Sequence, residues 1–120
     1  MRKENLLKIK SFDFAIRIIK LYKFLKEKQN EYILIKQVLR SGTSVGALIR
    51  ESENAESTKD FIHKLTIALK EAEETQYWLE LLFATGFINK RMFDSVNKDA
   101  EELVRLLVAS IKTIKSKSNT

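Results

Sequence analysis

A helical pattern runs through FIHKLTIALKEAEETQYWLELLF, residues 61–83 of this 120-residue chain. Apolar residues recur there at spacings of three and four, which places them on one face of an α-helix. The members of this predicted core face are Phe61, Leu65, Ala68, Leu69, Ala72, Leu79 and Phe83. Ser57, with Asp60 three residues later, is typical of a helix start, and Gly86 suits the position just past a helix end. The pattern predicts a helix over about 58–85.

Three further segments, on either side of this stretch, show the same period. They predict helices over about 11–28, 31–54 and 90–115, the last of which follows the N-cap residue Asn89. Their core residues are Phe14, Ile18, Leu21 and Leu25 in the first, Leu34, Val38, Val45, Leu48 and Ile49 in the second, and Val96, Ala100, Leu103, Leu107, Ile111 and Ile114 in the last. Short connections favour antiparallel neighbours. We expect one all-α domain over residues 1–120, an up-down-up-down four-helix bundle.

Two of the predicted helices are apolar on a second face as well. In the first helix this face consists of Phe12, Ile16 and Ile19. In the third helix it consists of Ile67, Trp78 and Leu81. Scattered apolar residues are normal on any protein surface, but an apolar patch centred on an aromatic residue is typical of an interface. We therefore expect both faces to contact other copies of the chain in a homo-oligomer.

The composition excludes several classes of protein. The chain has no Cys, which excludes a disulfide scaffold, a thiolate metal site and a thiol nucleophile. With 3 Gly and no Pro, it lacks the frequent turn residues of a β-sandwich. No stretch approaches the roughly 20 apolar residues of a membrane-spanning helix, and the N-terminus MRKENLLKIK has no apolar run typical of an export signal. We expect a cytoplasmic protein without a membrane partner.

The segment RSGTSVGA (residues 40–47) has the glycines of a phosphate-binding loop but not its other features. A phosphate-binding loop needs a Lys after its last glycine and a strand before it, and both are missing here. Gly42 and Gly46 instead lie four residues apart on one face of a predicted helix. Each glycine costs about 1 kcal/mol of helix stability relative to Ala. We expect close packing of a neighbouring helix to offset this cost.

No combination of residues indicates catalysis. His63 is the only histidine, whereas a di-iron bundle needs a Glu-x-x-His motif on each of two helices. The carboxylates Glu71, Glu73 and Glu74, and Glu101 and Glu102, are more typical of solvated helix faces and ion pairs than of acid–base pairs. We therefore predict a protein that is not an enzyme, with no catalytic residues, no metal ligands and no cofactor.

The positive charge is confined to parts of the chain. The formal net charge is +6, made up of +8 over residues 1–50, −5 over residues 51–111 and +3 over the last nine residues. Such an excess favours an acidic partner, of which nucleic acid is the commonest. The candidates for contacts with a phosphate backbone are Lys10, Arg17, Lys20, Arg40 and Arg50. Solvated basic faces that balance an acidic helix are the alternative interpretation.

Several motifs together resemble one known family, the four-helix-bundle proteins encoded in intervening sequences of bacterial 23S rRNA genes, also called the S23 ribosomal protein family. The motifs are RIIKL (17–21), RSGTSVGA (40–47), STKDF (57–61), IALKEAEETQYWL (67–79) and IKTIK (111–115). The resemblance spans roughly residues 10–115. It departs from the family pattern in two places, at Ala47-Leu48, where Ala-Asn is usual, and at Glu51-Ser52, where Glu-Ala is frequent.

The resemblance implies a homopentameric ring of bundles, similar to the accessory variability protein of diversity-generating retroelements. That relative is basic, binds nucleic acid and contacts a reverse transcriptase. The leading hypothesis is therefore a non-enzymatic, ring-forming protein that binds RNA or DNA through the phosphate backbone. A second hypothesis is a protein-interaction scaffold, an accessory factor for a polymerase or another protein partner. The resemblance supplies no active-site residues.

Overall fold

The computed structural model describes residues 3–118, and the side chains of residues 6–117. It contains four α-helices, α1 (Lys3–Lys28), α2 (Leu34–Ser52), α3 (Thr58–Ala84) and α4 (Lys90–Ser118), and no strand within the described residues. Helix α1 begins well before the expected residue 11. The reason is Leu7, which extends the core stripe of Phe14 by two turns towards the N-terminus and is buried.

Each helix packs against two others, so that α1 contacts α2 and α4, and α3 contacts α2 and α4. The apolar stripes of all four helices meet in one core. Ile35 also belongs to this core, although the sequence pattern does not include it. Phe83 was expected in the core but is 38% exposed and stacks on the ring of Phe93 at 5.2 Å, while its neighbour Leu82 is buried.

The expected close helix packing occurs at Gly42. A Cβ atom at this position would lie 2.8 Å from Cγ1 of Ile18, so the glycine lets α2 approach α1 more closely than any other residue could. At Gly46 the nearest atom to such a Cβ would be the backbone oxygen of Ser11, at 3.4 Å. Gly42 thus serves the close contact between α1 and α2, whereas a Cβ atom at Gly46 would make only ordinary contact.

The helix ends follow local hydrogen bonding. Helix α2 begins at Leu34, later than expected. The carboxylate of Glu31 accepts hydrogen bonds from the backbone N–H groups of Ile33, just before the helix, and of Leu34 and Ile35 in its first turn, the shortest from Ile35 at 2.8 Å. At the start of α3, Ser57 Oγ accepts from the Asp60 N–H at 3.0 Å. Gly86, at φ 85°, follows the end of α3 in the left-handed conformation that suits glycine.

Candidate nucleic-acid interface

The five cations expected to contact phosphate do not form one surface. Arg17 and Lys20 lie in a groove between α1 and α4. Lys10, farther along α1, forms an ion pair with Glu102 of α4 at 3.1 Å. On the other side, between α2 and α3, Arg40 pairs with Glu71 and Glu74.

Arg50 lies between α1 and α2, where its guanidinium group is 5.3 Å from the centre of the Phe12 ring. This cation–aromatic contact holds the side chain against α1. Arg50 and Arg40 are therefore separate from the groove between α1 and α4, and Arg40 is the more neutralised of the two. The groove is the place where two of the five expected cations come together.

The α1–α4 groove, as we call it, has a volume of about 470 Å³. Its lining combines cationic side chains with an apolar floor. The lining residues are Arg17, Lys20, Leu21 and Phe24 from α1, and Arg91, Met92, Ser95 and Val96 from α4. The groove is within the size range of small-molecule sites, which is about 300–1,000 Å³.

Arg17 is held in place by α4. Its Nη1 donates to Asp99 Oδ2 at 2.7 Å and to the Ser95 carbonyl oxygen at 3.1 Å, and its Nη2 donates to Ser95 Oγ at 2.7 Å. These bonds fix the guanidinium plane at one end of the groove. Because Asp99 balances its charge, Arg17 adds less to the net potential of the groove than an unpaired cation would.

Lys20 and Arg91 supply the excess charge. Both side chains are exposed, and neither forms an ion pair with any residue that the structure describes. Arg91 was missed by the sequence analysis. The available signal was the expected bundle topology, which brings the start of the fourth helix beside the C-terminal half of the first.

The apolar part of the groove includes one accessible aromatic side chain. Leu21 and Val96 are buried and form the floor, and Met92 is half-buried. Phe24 is 37% exposed, whereas Phe14 on the same helix is 1% exposed. The groove therefore presents an aromatic surface beside two unpaired cations.

The second apolar face of α1 is exposed along its length. Phe12 is 52% exposed, and Ile16 and Ile19 are also exposed. Ile9, which the sequence analysis did not include, extends this set by one turn and is exposed too. We call Ile9, Phe12, Ile16 and Ile19 the α1 outer stripe.

The expected second face of α3 is less accessible. Ile67, Trp78 and Leu81 are all half-buried within the chain. Trp78 packs against the core, and its indole N–H donates to Glu74 Oε1 at 3.0 Å. Tyr77 next to it is the more accessible aromatic residue, at 54% exposed.

The candidates for metal binding and acid–base chemistry are exposed or paired with cations. His63 is exposed, and within residues 3–118 no group of three or more His, Cys, Asp or Glu side chains is placed to hold a metal ion. Among the carboxylates considered for acid–base chemistry, Glu71 and Glu74 pair with Arg40, and Glu102 pairs with Lys10. In the described part of the chain, none of the helices has the length and apolar character needed to cross a bilayer.

The chain is similar to proteins of one known family. The sequence pattern of the 23S rRNA-intervening sequence protein family matches residues 3–109. The chain is similar to a crystallised protein of unknown function from the S23 ribosomal protein family of Bacteroides thetaiotaomicron. The two share 55% sequence identity with a TM-score of 0.92, over 92% of this chain and 99% of the other. No curated protein shows significant similarity to this chain.

Proposed function

The chain belongs to the 23S rRNA-intervening sequence protein family, and from this membership we propose that it is a non-enzymatic, ring-forming basic protein that binds nucleic acid. Binding is to the phosphate backbone of RNA or DNA, in the cytoplasm. The proposal includes an antiparallel bundle, and it is supported by two ion pairs that join α1 and α4 in opposite residue order, Lys10 with Glu102 and Arg17 with Asp99.

One observation carries the proposed binding, namely the pair of unneutralised cations at the α1–α4 groove. Lys10, Arg17 and Arg40 face carboxylates of neighbouring helices, which reduces their attraction for phosphate. Lys20 and Arg91 have no such neighbour among the described residues and lie on either side of an open groove. They are therefore well placed to exchange solvent ions for phosphate oxygens.

The proposed oligomer rests on the α1 outer stripe. Four apolar side chains on one exposed helix face form a continuous apolar surface, which is typical of an interface. The resemblance to the family suggests five copies in a closed ring. At +6 per chain, five copies carry about +30, a field that attracts a polyanion from a distance.

The binding is tested by titrating a labelled RNA and a labelled DNA with the protein at several salt concentrations. The double variant Lys20→Gln/Arg91→Gln should weaken binding. It should also reduce the magnitude of the slope of log affinity against log salt by about 1.4–1.8, which corresponds to the loss of two phosphate contacts. The matched control, Lys36→Gln/Lys70→Gln, removes two exposed cations outside the groove. Absence of binding to either nucleic acid at about 50 mM salt, where such contacts are strongest, would refute the proposal.

The oligomer is tested by light scattering. Ile16→Glu places a charge in the α1 outer stripe and should reduce the mass to that of the 14.0 kDa chain. Ile33→Glu, at an exposed apolar residue before α2, is the control and should leave the mass unchanged. An Ile16→Glu variant that keeps the wild-type mass would contradict the placement of the interface. Trp78→Glu is a poorer probe, because Trp78 packs against the core of its own chain.

The second candidate function is that of an accessory factor for a polymerase or another protein. The observation that favours it is the same α1 outer stripe, which a partner protein could cover instead of a second copy. Light scattering distinguishes the two cases, since a monomeric wild-type chain would leave the stripe open to a partner. Association with a purified polymerase should then persist after nuclease treatment and be lost in Ile16→Glu.

A further inference from the structure

We propose that the α1–α4 groove accepts a single-stranded segment of nucleic acid, in which one unpaired base stacks on Phe24 while Lys20 and Arg91 hold the adjacent phosphates. This inference rests on the proposed nucleic-acid binding and adds the class of nucleic acid and the mode of contact. It depends on three observations, which are the exposed aromatic side chain, the composition of the floor and the position of the groove relative to the α1 outer stripe.

Phe24 is partly exposed on the flank of α1 that borders the groove. It lies on the face of α1 next to the core, between the buried Leu21 and Leu25 along the chain, yet 37% of it remains accessible at the groove. An aromatic side chain beside unpaired cations is the combination that binds single strands, because each base offers a flat face for stacking. Such stacking changes affinity by roughly 5- to 100-fold per base.

The remaining lining favours an unpaired base over a duplex. Leu21, Met92 and Val96 offer apolar surface but no side-chain hydrogen-bond donors. The floor therefore has few groups that could bind the sugars and phosphates of a nucleic-acid backbone. In a duplex the faces of the bases are covered by their neighbours in the stack, whereas in a single strand they are accessible. The floor of the groove therefore matches the part of a nucleic acid that only a single strand exposes.

Arg17 closes one end of the groove in a fixed orientation. Its bonds to Asp99 and Ser95 hold the planar guanidinium group, which leaves it rigid when a ligand arrives. Lys20 lies four residues before Phe24, one helical turn away, so that both side chains follow the same side of α1. The cation and the aromatic side chain are thus adjacent on one helix, and Arg91 faces them from α4.

The groove adjoins the α1 outer stripe. At about 100° per residue, Arg17 is turned about 100° from Ile16, and Phe24 is turned about 140° from Ile19. Lys20, however, is turned only about 40° from Ile16, so the groove and the stripe occupy adjoining faces of α1 that meet at Lys20. A second copy of the chain seated on the stripe would therefore border the groove at Lys20, whereas Arg17 and Phe24 are turned farther from the stripe.

The test compares a labelled single-stranded oligonucleotide with the duplex of the same sequence, by fluorescence anisotropy at about 50 and 200 mM salt. The wild-type protein should bind the single strand more tightly. Phe24→Ala should weaken single-strand binding by roughly 5- to 100-fold and change duplex binding by less than about two-fold. Phe24→Tyr, which keeps an aromatic ring, should restore most of the affinity.

Tyr77→Ala is the matched control, since it removes an exposed aromatic ring from α3 outside the groove. Equal affinity for single strand and duplex, both unaffected by Phe24→Ala, would overturn this inference and leave the proposed nucleic-acid binding intact. Absence of binding to both would refute the proposed function as well. Polyglutamate of the same total charge serves as a competitor. If it displaces the labelled oligonucleotide as efficiently as the unlabelled oligonucleotide does, the inference is overturned in favour of an acidic polypeptide.

Discussion

Replacing Gly42 by Ala tests the contact between α1 and α2. The added Cβ would lie 2.8 Å from Cγ1, 3.0 Å from Cγ2 and 3.3 Å from Cβ of Ile18. All three atoms are close to the backbone of a buried, β-branched side chain, whose χ1 rotation is restricted. Overpacking of this kind costs about 1–3 kcal/mol, while Gly→Ala within a helix gains about 1 kcal/mol. We expect Gly42→Ala to lower the free energy of unfolding by about 0–2 kcal/mol.

The measurement is denaturant unfolding at a fixed protein concentration, because self-association adds to the apparent stability. Gly46→Ala is the internal comparison. Its Cβ would meet Ser11 at 3.4 Å, which is ordinary contact, so the helix gain should dominate and the variant should be more stable than Gly42→Ala. Ile18→Ala removes both γ carbons at the contact. In that background the Gly42→Ala substitution should become stabilising, with a coupling of about 1–3 kcal/mol.

Two results would refute this reasoning. One is a Gly42→Ala variant at least as stable as Gly46→Ala. The other is an effect of Gly42→Ala that is the same with Ile18 present and with Ala in its place. Either result would mean that the glycine does not serve the close approach of α1.

Three further substitutions test individual polar contacts through the midpoint of thermal unfolding. Thr75→Val removes the buried hydroxyl that lies 2.8 Å from Ser41 Oγ, and should lower the free energy of unfolding by about 1 kcal/mol. An unchanged midpoint would contradict a stabilising role for this contact between α2 and α3. Glu31→Ala leaves the first N–H groups of α2 without their acceptor and should cost about 1–2 kcal/mol, whereas no loss would mean that water replaces the carboxylate. Ser110→Ala removes a buried hydroxyl that has no hydrogen-bond partner among the described residues, and should leave the midpoint unchanged or raise it. A decrease of more than about 1 kcal/mol in the free energy of unfolding would indicate a hydrogen bond that the structure does not show.

The core of the fold could be predicted from the sequence because the apolar period repeats over many turns. Phe14 and Ile18 in α1, and Leu103 and Leu107 in α4, are buried as their spacing indicates. The prediction failed where a helix ends, as at Phe83. There the sequence offers several apolar residues in a row, and only the tertiary packing decides which of them faces the core.

The candidate site could be predicted less well, because it depends on which flanks of the helices meet. The sequence shows that Arg17 and Lys20 are basic, but not that Asp99, 82 residues from Arg17, neutralises one of them. Nor does it show that Arg91 lies across the groove. The pairing of charges between helices depends on the rotation of each helix about its axis, and the apolar period defines that rotation only to within a broad face.

Four helices around a common core can be wound in two mirror-related orders, left-turning or right-turning, and the same apolar stripes are buried in both. The two orders exchange the neighbours on the flanks of each helix. In α1 two consecutive residues distinguish them, because Ile18 fits against Gly42 of α2 while Arg17 bonds to Asp99 of α4. In the mirror-related bundle both contacts would be lost. The handedness of the bundle is therefore specified by contacts between particular pairs of helices, one of them inside the core and the other on its flank.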